Sequence, residues 1–130
     1  SRLDFASKVK ELITYLKNWL SNEVKKNNIC ILTPDMDMAE RLKKNLLEHG
    51  YRTELVNTKT FVNERESIQI STVEDFKGLE KEIICIFGIP DNCSNETLKK
   101  YFYKSITRAI HTVLIINEKE EKQILFDIGN

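Results

Sequence analysis

Two short segments of the chain gather residue types that could do chemistry. Residues 71–80 (Ser-Thr-Val-Glu-Asp-Phe-Lys-Gly-Leu-Glu) combine hydroxyls, acids, a lysine and a glycine, and residues 104–109 (Lys-Ser-Ile-Thr-Arg-Ala) carry an arginine just before an apolar run. Helical spacing puts Arg108 at the border of its helix's predicted apolar stripe, from where it can reach a neighbouring surface. Both segments also have a purely structural interpretation. A Lys-Gly-Leu-Glu stretch is often only a turn, and an arginine near a helix end often only stabilises the helix dipole.

The composition is that of a globular protein without an excess of either charge. The chain has 130 residues, of which 41% are hydrophobic and 31% charged, and its 20 Lys plus Arg balance 20 Asp plus Glu. Net charge therefore gives no sign of a strongly basic nucleic-acid binder. The longest apolar run, residues 83–89, is far too short to span a bilayer, and the start of the chain has no signal-peptide core. We expect no membrane association and a cytoplasmic location.

The length fits one domain, and we expect residues 1–130 to form it. Because the chain starts Ser-Arg-Leu without an initiator Met, we also expect it to be a piece of a longer protein. Cys30 and Cys85 lie in apolar runs and are predicted to be buried thiols of a reduced, intracellular protein. His49 and His111 are far apart in the sequence, so no metal site is expected.

Hydrophobic periodicity predicts helices that alternate with strands. A first helix is predicted from the apolar stripe between Phe5 and Leu20, with residues 25–28 ending it, and a second from the stripe between Ala39 and Leu46, which stops at Gly50. A third is predicted from the stripe Leu98, Phe102, Ile106 and Ala109, and a fourth over residues 118–127. Strands are predicted for residues 29–32, 52–56, 68–71, 83–87 and 113–116. Lys8 is predicted to lie off the first helical stripe.

Buried strands that alternate with helices indicate an α/β domain, with a mainly parallel sheet and helices on both faces. Ligands of such sheets bind at the carboxyl ends of the strands. Polar residues just after a strand are therefore the expected place for a site.

The order of the two polar segments resembles two motifs of superfamily 1 helicases of the UvrD/Rep type. Residues 70–86, with a threonine, Lys-Gly-Leu-Glu and an apolar strand, resemble motif V, and residues 102–109, an aromatic followed by Thr-Arg-Ala, resemble motif VI. Upstream, residues 29–34 and 39–51 resemble the start of that family's second RecA-like motor domain. The resemblance covers nearly the whole chain and implies a RecA-like fold of the P-loop NTPase class.

This resemblance implies roles for five residues. Arg108 matches the arginine finger, which binds the γ-phosphate of ATP and stabilises charge in the transition state. Gly78 and Glu80 match motif V residues near the ATP. Thr72 matches a residue whose hydroxyl contacts the nucleic-acid backbone, and Lys77 is the motif lysine, assigned here to nucleic-acid binding. The alternative for Lys77 and Glu80 is a surface ion pair.

The resemblance also implies ATP and Mg²⁺ as cofactors, single-stranded nucleic acid, expected to be DNA, as substrate, and the N-terminal RecA-like domain of the same protein as partner. The sequence has no Gly-x-x-x-x-Gly-Lys-Ser/Thr loop, so that other domain would bind the phosphates and the isolated chain should not hydrolyse ATP. Only residues 57–67 separate the second predicted strand from motif V. The chain therefore resembles a compact relative without the 2B insertion.

Two functions from different classes follow from these observations. In the first, the chain is the C-terminal motor domain of an ATP-dependent DNA or RNA helicase or translocase. In the second, it is a RecA-like α/β module without motor activity that acts in regulation or protein interaction. Glu74 favours the second, because motif V often has His there and an acid would repel phosphate. The paired motifs favour the first, with Lys99, Lys100 and Lys104 as further candidates for contacts with a single strand.

Overall fold

A computed structural model gives the fold and describes residues 4–56, 66–76, 80–90, 93–97, 99–100, 103, 109–117 and 124–127. Its helices and strands are α1 (Phe5–Ser21), β1 (Ile29–Thr33), α2 (Met36–Glu48), β2 (Thr53–Leu55), β3 (Ile68–Thr72), β4 (Lys81–Ile89), β5 (Ala109–Asn117) and β6 (Ile124–Asp127). A 3₁₀ turn, Lys26–Asn28, precedes β1. Residues 95–97, 99–100 and 103 are helical, and we call them the post-β4 helical segment.

Short polar side chains start each helix. The Asp4 carboxylate accepts a hydrogen bond from the Ser7 N–H at 2.7 Å and begins α1, and Asp35 accepts one from Met38 N–H at 2.8 Å and begins α2. Such caps satisfy N–H groups that have no partner inside the helix. The predicted stop at Gly50 is confirmed, because Gly50 has a φ of 87°, a conformation that glycine adopts without steric cost.

The first helix ends earlier than the sequence predicts. The charged and polar residues 25–28 are predicted to end it, whereas α1 stops at Ser21. Glu23 has a φ of 69°, so the backbone leaves the right-handed helical region two residues after α1. The Val24 N–H then donates to the Trp19 carbonyl at 3.1 Å, which satisfies one of the last carbonyls of the helix.

The six strands form one sheet in the order β2-β3-β1-β4-β5-β6. The first five run parallel, and β6 pairs antiparallel with β5. The predicted α/β fold with a mainly parallel sheet is therefore confirmed. Strands β1 and β3 are buried at every residue, as expected for inner strands with both faces covered.

The two faces of the sheet carry separate apolar cores. Alternate strand residues pack against α1 and α2 on the first face, among them Ile29, Ile31, Ile83, Cys85, Leu114 and Ile116. Their neighbours point to the second face, among them Cys30, Leu32, Ile84, Ile86, Val113 and Ile115. Val73, Phe76 and Cys93 pack on this second face.

Helices lie on both faces because the chain leaves the centre of the sheet in two directions. The connection through α2 moves from β1 towards β2, while the connection through the post-β4 helical segment moves the opposite way, from β4 to β5. Parallel crossovers are right-handed, so opposite directions put the two connections on opposite faces. No helix in the described part of the chain is long and apolar enough to cross a membrane.

Two predictions near the C-terminus are wrong. Ile124–Asp127 is the strand β6, not part of a helix over residues 118–127, because its backbone groups complete the ladder that β5 would otherwise leave open. Ala109 is not the end of a helical stripe but the first residue of β5, where it pairs with Lys81. Pairing with β4 here overrides the helical spacing of the apolar residues.

The prediction that Lys8 lies off the buried stripe is also wrong. Lys8 is only 5% exposed, and its Nζ lies 5.7 Å from the centroid of the Phe87 ring. Phe5 meets the same ring edge to face at 6.0 Å between centroids. The start of α1 therefore packs on the end of β4, where a long apolar stem can be buried and its charge can face an aromatic ring.

The predicted burial of Cys30 and Cys85 is confirmed, with exposed fractions of 1% and 0%. Burial raises the pKa of the Cys30 thiol to about 12, and it raises the pKa of Cys85 as well. A buried thiol with a raised pKa is not a nucleophile. Both cysteines are therefore core residues.

Candidate functional site

The predicted site residues are divided between the two edges of the sheet. Thr72 is the last residue of β3 and lies at the carboxyl edge. Glu80 directly precedes β4 and lies at the amino edge. Thr72 therefore ends a strand at the edge where ligands of parallel sheets bind, whereas Glu80 precedes a strand instead of following one. Because β3 and β4 are parallel, the connection between them must return across the sheet, a distance of about 16 Å for a five-residue strand.

The three remaining predicted residues lie outside the described part of the chain. They are Lys77, Gly78 and Arg108. Ala109, which follows Arg108 in the sequence, begins β5 and is the partner of Lys81 at the start of β4. Glu80 and Arg108, which the sequence assigns to ATP, thus directly precede the two members of this pair in the sequence.

At the carboxyl edge, Thr72 organises the turn that follows β3. Its Oγ1 accepts a hydrogen bond from the Asp75 N–H at 3.1 Å, and its carbonyl accepts one from the Phe76 N–H at 3.0 Å. The side chain is 6% exposed. A hydroxyl that accepts one bond still has a hydrogen to donate, so Thr72 can shape the turn and donate to a phosphate oxygen as well.

Two neighbouring hydroxyls at this edge form hydrogen bonds with backbone carbonyls of the protein. Ser71 Oγ donates to the Thr72 carbonyl at 3.0 Å, and Thr33 Oγ1 lies 3.2 Å from the Asp35 carbonyl and 3.4 Å from that of Ser71. Both side chains are at least 98% buried. Thr72 is therefore the most exposed of these three residues, although it is itself largely buried.

Beside this turn lies a cleft of about 420 Å³. Its described lining residues are Val73, Glu74, Lys99, Lys100 and Tyr103, and we call it the turn–helix cleft. It joins the turn after β3 to the post-β4 helical segment, whose N–H at Thr97 is capped by Ser94 Oγ at 3.2 Å. The cleft combines an apolar floor, an acid, two lysines and an aromatic ring.

Sequence reasoning identified Glu74, Lys99 and Lys100, and it included Tyr103 in the resemblance to motif VI without giving it a role. The ring is 72% exposed, which is unusual for an aromatic residue in a chain with a well-filled core. Its helical spacing supplied a signal, because Tyr103 lies four residues after Lys99 and three after Lys100. Residues at these spacings share one face of a helix.

At the amino edge, a buried lysine fixes the start of β4. Lys81 is 7% exposed, and its Nζ donates to the Asn27 carbonyl at 2.7 Å. A second bond, from Asn28 Nδ2 to Glu82 Oε1 at 3.3 Å, joins the same 3₁₀ turn to the same strand. Loss of hydration lowers the pKa of Lys81, and the thiol of Cys30 opposes this shift. Sequence reasoning missed this clamp, although a lysine at the head of an apolar strand is a visible signal.

At the amino edge, the described residue that the sequence assigns to ATP is Glu80. The Glu80 side chain is exposed, and a carboxylate can accept hydrogen bonds from ribose hydroxyls. A carboxylate does not attract the phosphates themselves. Their binding would have to come from cationic groups such as Arg108 and from a separate phosphate-binding loop.

The chain is similar in structure to the C-terminal domain of a possible DNA helicase from Lactobacillus plantarum. The TM-score is 0.69 and the sequence identity 18%, over 88% of this chain and 68% of that chain. At this identity the likeness establishes a common fold, which agrees with the RecA-like architecture expected from the sequence. No protein-family model and no curated protein matches the chain.

Proposed function

We propose that this chain is the second motor domain of an ATP-dependent helicase or translocase of the superfamily 1 UvrD/Rep type. A first RecA-like domain of the same protein would bind ATP and Mg²⁺ through its Walker A loop. This chain would complete the nucleotide site with Arg108, Gly78 and Glu80 and would bind single-stranded DNA, or RNA, through Thr72 and Lys77. It would be a compact relative that lacks the 2B insertion.

The pairing of Lys81 with Ala109 is the observation that carries this proposal. It puts Lys81 and Ala109 side by side at the amino edge of the sheet, and Glu80 and Arg108 directly precede these two residues in the sequence. An arginine finger and a motif V carboxylate must approach the same nucleotide, so they require such an arrangement. The fold shared with a possible helicase domain supports the same interpretation.

The connection from Thr72 to Glu80 offers a route for coupling. It begins at the carboxyl edge, beside the proposed strand-binding residues, and it ends at the amino edge, beside the proposed nucleotide. Val73 and Phe76 hold its described part, residues 73–76, on the second face of the sheet, with exposed fractions of 7% and 6%. We propose that a displacement at one end of this connection reaches the other end, which is what a motor needs.

The test is the ATPase activity of the complete protein that contains this chain. Arg108→Ala should lower turnover by about 10³-fold or more, as arginine fingers do, while ATP binding weakens much less. Arg108→Lys should recover part of the activity, because an ammonium cannot contact two oxygens in the same way. Lost thermal stability with unchanged turnover per folded molecule would show that Arg108 is structural and would refute the proposal.

Two measurements on the isolated 130-residue chain complete this test. The chain alone should not hydrolyse ATP, because catalysis of phosphoryl transfer requires groups from both domains. It should bind single strands weakly, with an affinity that falls steeply between about 50 and 200 mM salt. Strong ATP turnover by the chain, or tight binding that salt does not weaken, would contradict the two-domain interpretation.

The second candidate is a RecA-like module without motor activity. The observations that favour it are the balanced charge, 20 of each sign, and the acid at position 74 in the turn–helix cleft. It predicts a complete protein whose ATP turnover does not respond to single strands. Stimulation of ATP turnover by a single strand would exclude it.

A further inference from the structure

We propose that the turn–helix cleft holds one base of the bound single strand, and that Glu74 selects cytosine over uracil and thymine. This inference rests on the proposed function, because it requires that the chain binds a single strand. It gives Glu74 a role in binding, although a carboxylate at this position would repel the phosphates of the strand.

The cleft has the size and walls of a site for a flat ligand. Its volume of about 420 Å³ falls in the usual range of ligand pockets, about 300–1,000 Å³. Val73 supplies an apolar floor and is 7% exposed, and the ring of Tyr103 is 72% exposed. Bases stack on exposed aromatic rings in many single-strand binders, with little dependence on sequence.

The charges of the cleft orient the strand. Lys99 and Lys100 both line it beside Tyr103, at spacings that put them on the ring's side of the helix. Glu74 belongs to the turn after β3 and lines the cleft from there. The backbone phosphates would therefore lie along the lysines, and the stacked base would point its edge towards Glu74.

An ionised carboxylate distinguishes bases by what it can accept. It has acceptors only, and glutamate typically reads the N4 amino group of cytosine. Uracil and thymine carry a carbonyl oxygen, O4, at that same position, which would face the carboxylate with no proton between them. Cytosine and uracil are alike in size and differ along this edge at two positions: the 4-position, and N3, which accepts a hydrogen bond in cytosine and donates one in uracil. The proposed contact is the one at the 4-position.

The test compares the affinity of the 130-residue chain for single strands of dC and of dU, each about 15 nucleotides long. Fluorescence anisotropy at low salt gives the two dissociation constants and their ratio. We expect dC to bind about tenfold more tightly than dU, the worth of one hydrogen bond to a charged group. Absence of binding to either strand would overturn this inference together with the nucleic-acid part of the proposed function.

Glu74→Gln is the decisive variant. Its amide can accept from the amino group of cytosine and donate to O4 of uracil, so the ratio should fall to about one, with a gain in affinity for dU. If Glu74 only repels phosphate, the same variant raises both affinities equally and leaves their ratio unchanged, which would overturn the inference. Glu48→Gln, the same change at an exposed position of α2, should leave the ratio of the native chain intact.

A second pair of variants tests the stacking wall. Tyr103→Leu keeps an apolar side chain but removes the ring, so both affinities should fall about tenfold. Tyr103→Phe keeps the ring and should lose much less. Because Glu74 and Tyr103 are exposed, these variants should keep the native melting temperature. Equal losses in the Leu and Phe variants would show that the ring does not stack.

Discussion

Replacing Thr72 by Val or by Ser separates the two uses of its hydroxyl. The native Oγ1 accepts the Asp75 N–H at 3.1 Å, from a side chain that is 6% exposed. Thr72→Val removes this bond without leaving a cavity and should lower the free energy of unfolding by about 1 kcal/mol. Thr72→Ser keeps the hydroxyl but deletes a buried methyl group, which also costs about 1 kcal/mol. With an m-value of about 2 kcal/mol/M, each variant should unfold about 0.5 M earlier in urea.

The two variants are thus matched in stability but differ in the hydroxyl. If Thr72 donates to a phosphate, Thr72→Val should bind a single strand about five- to tenfold more weakly than Thr72→Ser. Urea unfolding and fluorescence anisotropy on the same preparations give both quantities. Equal affinities of the two variants would refute the phosphate contact. A Val variant as stable as the native chain would refute the role of the hydroxyl in the turn.

Three further predictions concern the described core. Gly88 and Gly50 have φ values of 85° and 87°, so alanine at either position should lower the free energy of unfolding, measured in urea, by about 1–2 kcal/mol. Burial lowers the pKa of Lys81 from 10.5, so just below that pH the unfolded state binds more protons than the native state. The native chain should therefore gain stability relative to Lys81→Met as the pH rises towards 10.5, which chemical denaturation at several pH values would measure. Cys93 is half-buried and the other two thiols are buried, so a thiol reagent should modify one cysteine rapidly and the others only on unfolding.

Much of the fold could be predicted because buried strands and helices appear in the sequence as apolar runs and apolar stripes. The run Ile83 to Phe87 lies inside β4, and the helical stripe of Ala39, Leu42 and Leu46 is buried in α2. The errors fall where the pattern is weak. Ala109 suits a helix or a strand equally well in pattern, and only its pairing with a distant strand decides between them.

The candidate site could be predicted only in part. The sequence picked out Thr72 and Glu80 but could not show that the sheet separates them, because the edge at which a residue lies depends on strand direction. Lys81 was missed and Tyr103 was given no role, since the importance of Lys81 comes from its burial and that of Tyr103 from its exposure. Neither property can be read from the type of the residue alone.

The position of β1 in the middle of the sheet has a consequence for how the chain is made. Its partners are β3 and β4, so Cys30 pairs with Gln69 and Ile84, which are synthesised much later. At about 5–20 residues per second, the apolar run of β1 waits several seconds for its second neighbour. During that time its backbone groups are open to pairing with other chains. Strand β1 is buried at every residue in the folded chain, yet during synthesis it waits longest for its partners and is open to aggregation. Binding of β1 by a chaperone would therefore matter most in that interval.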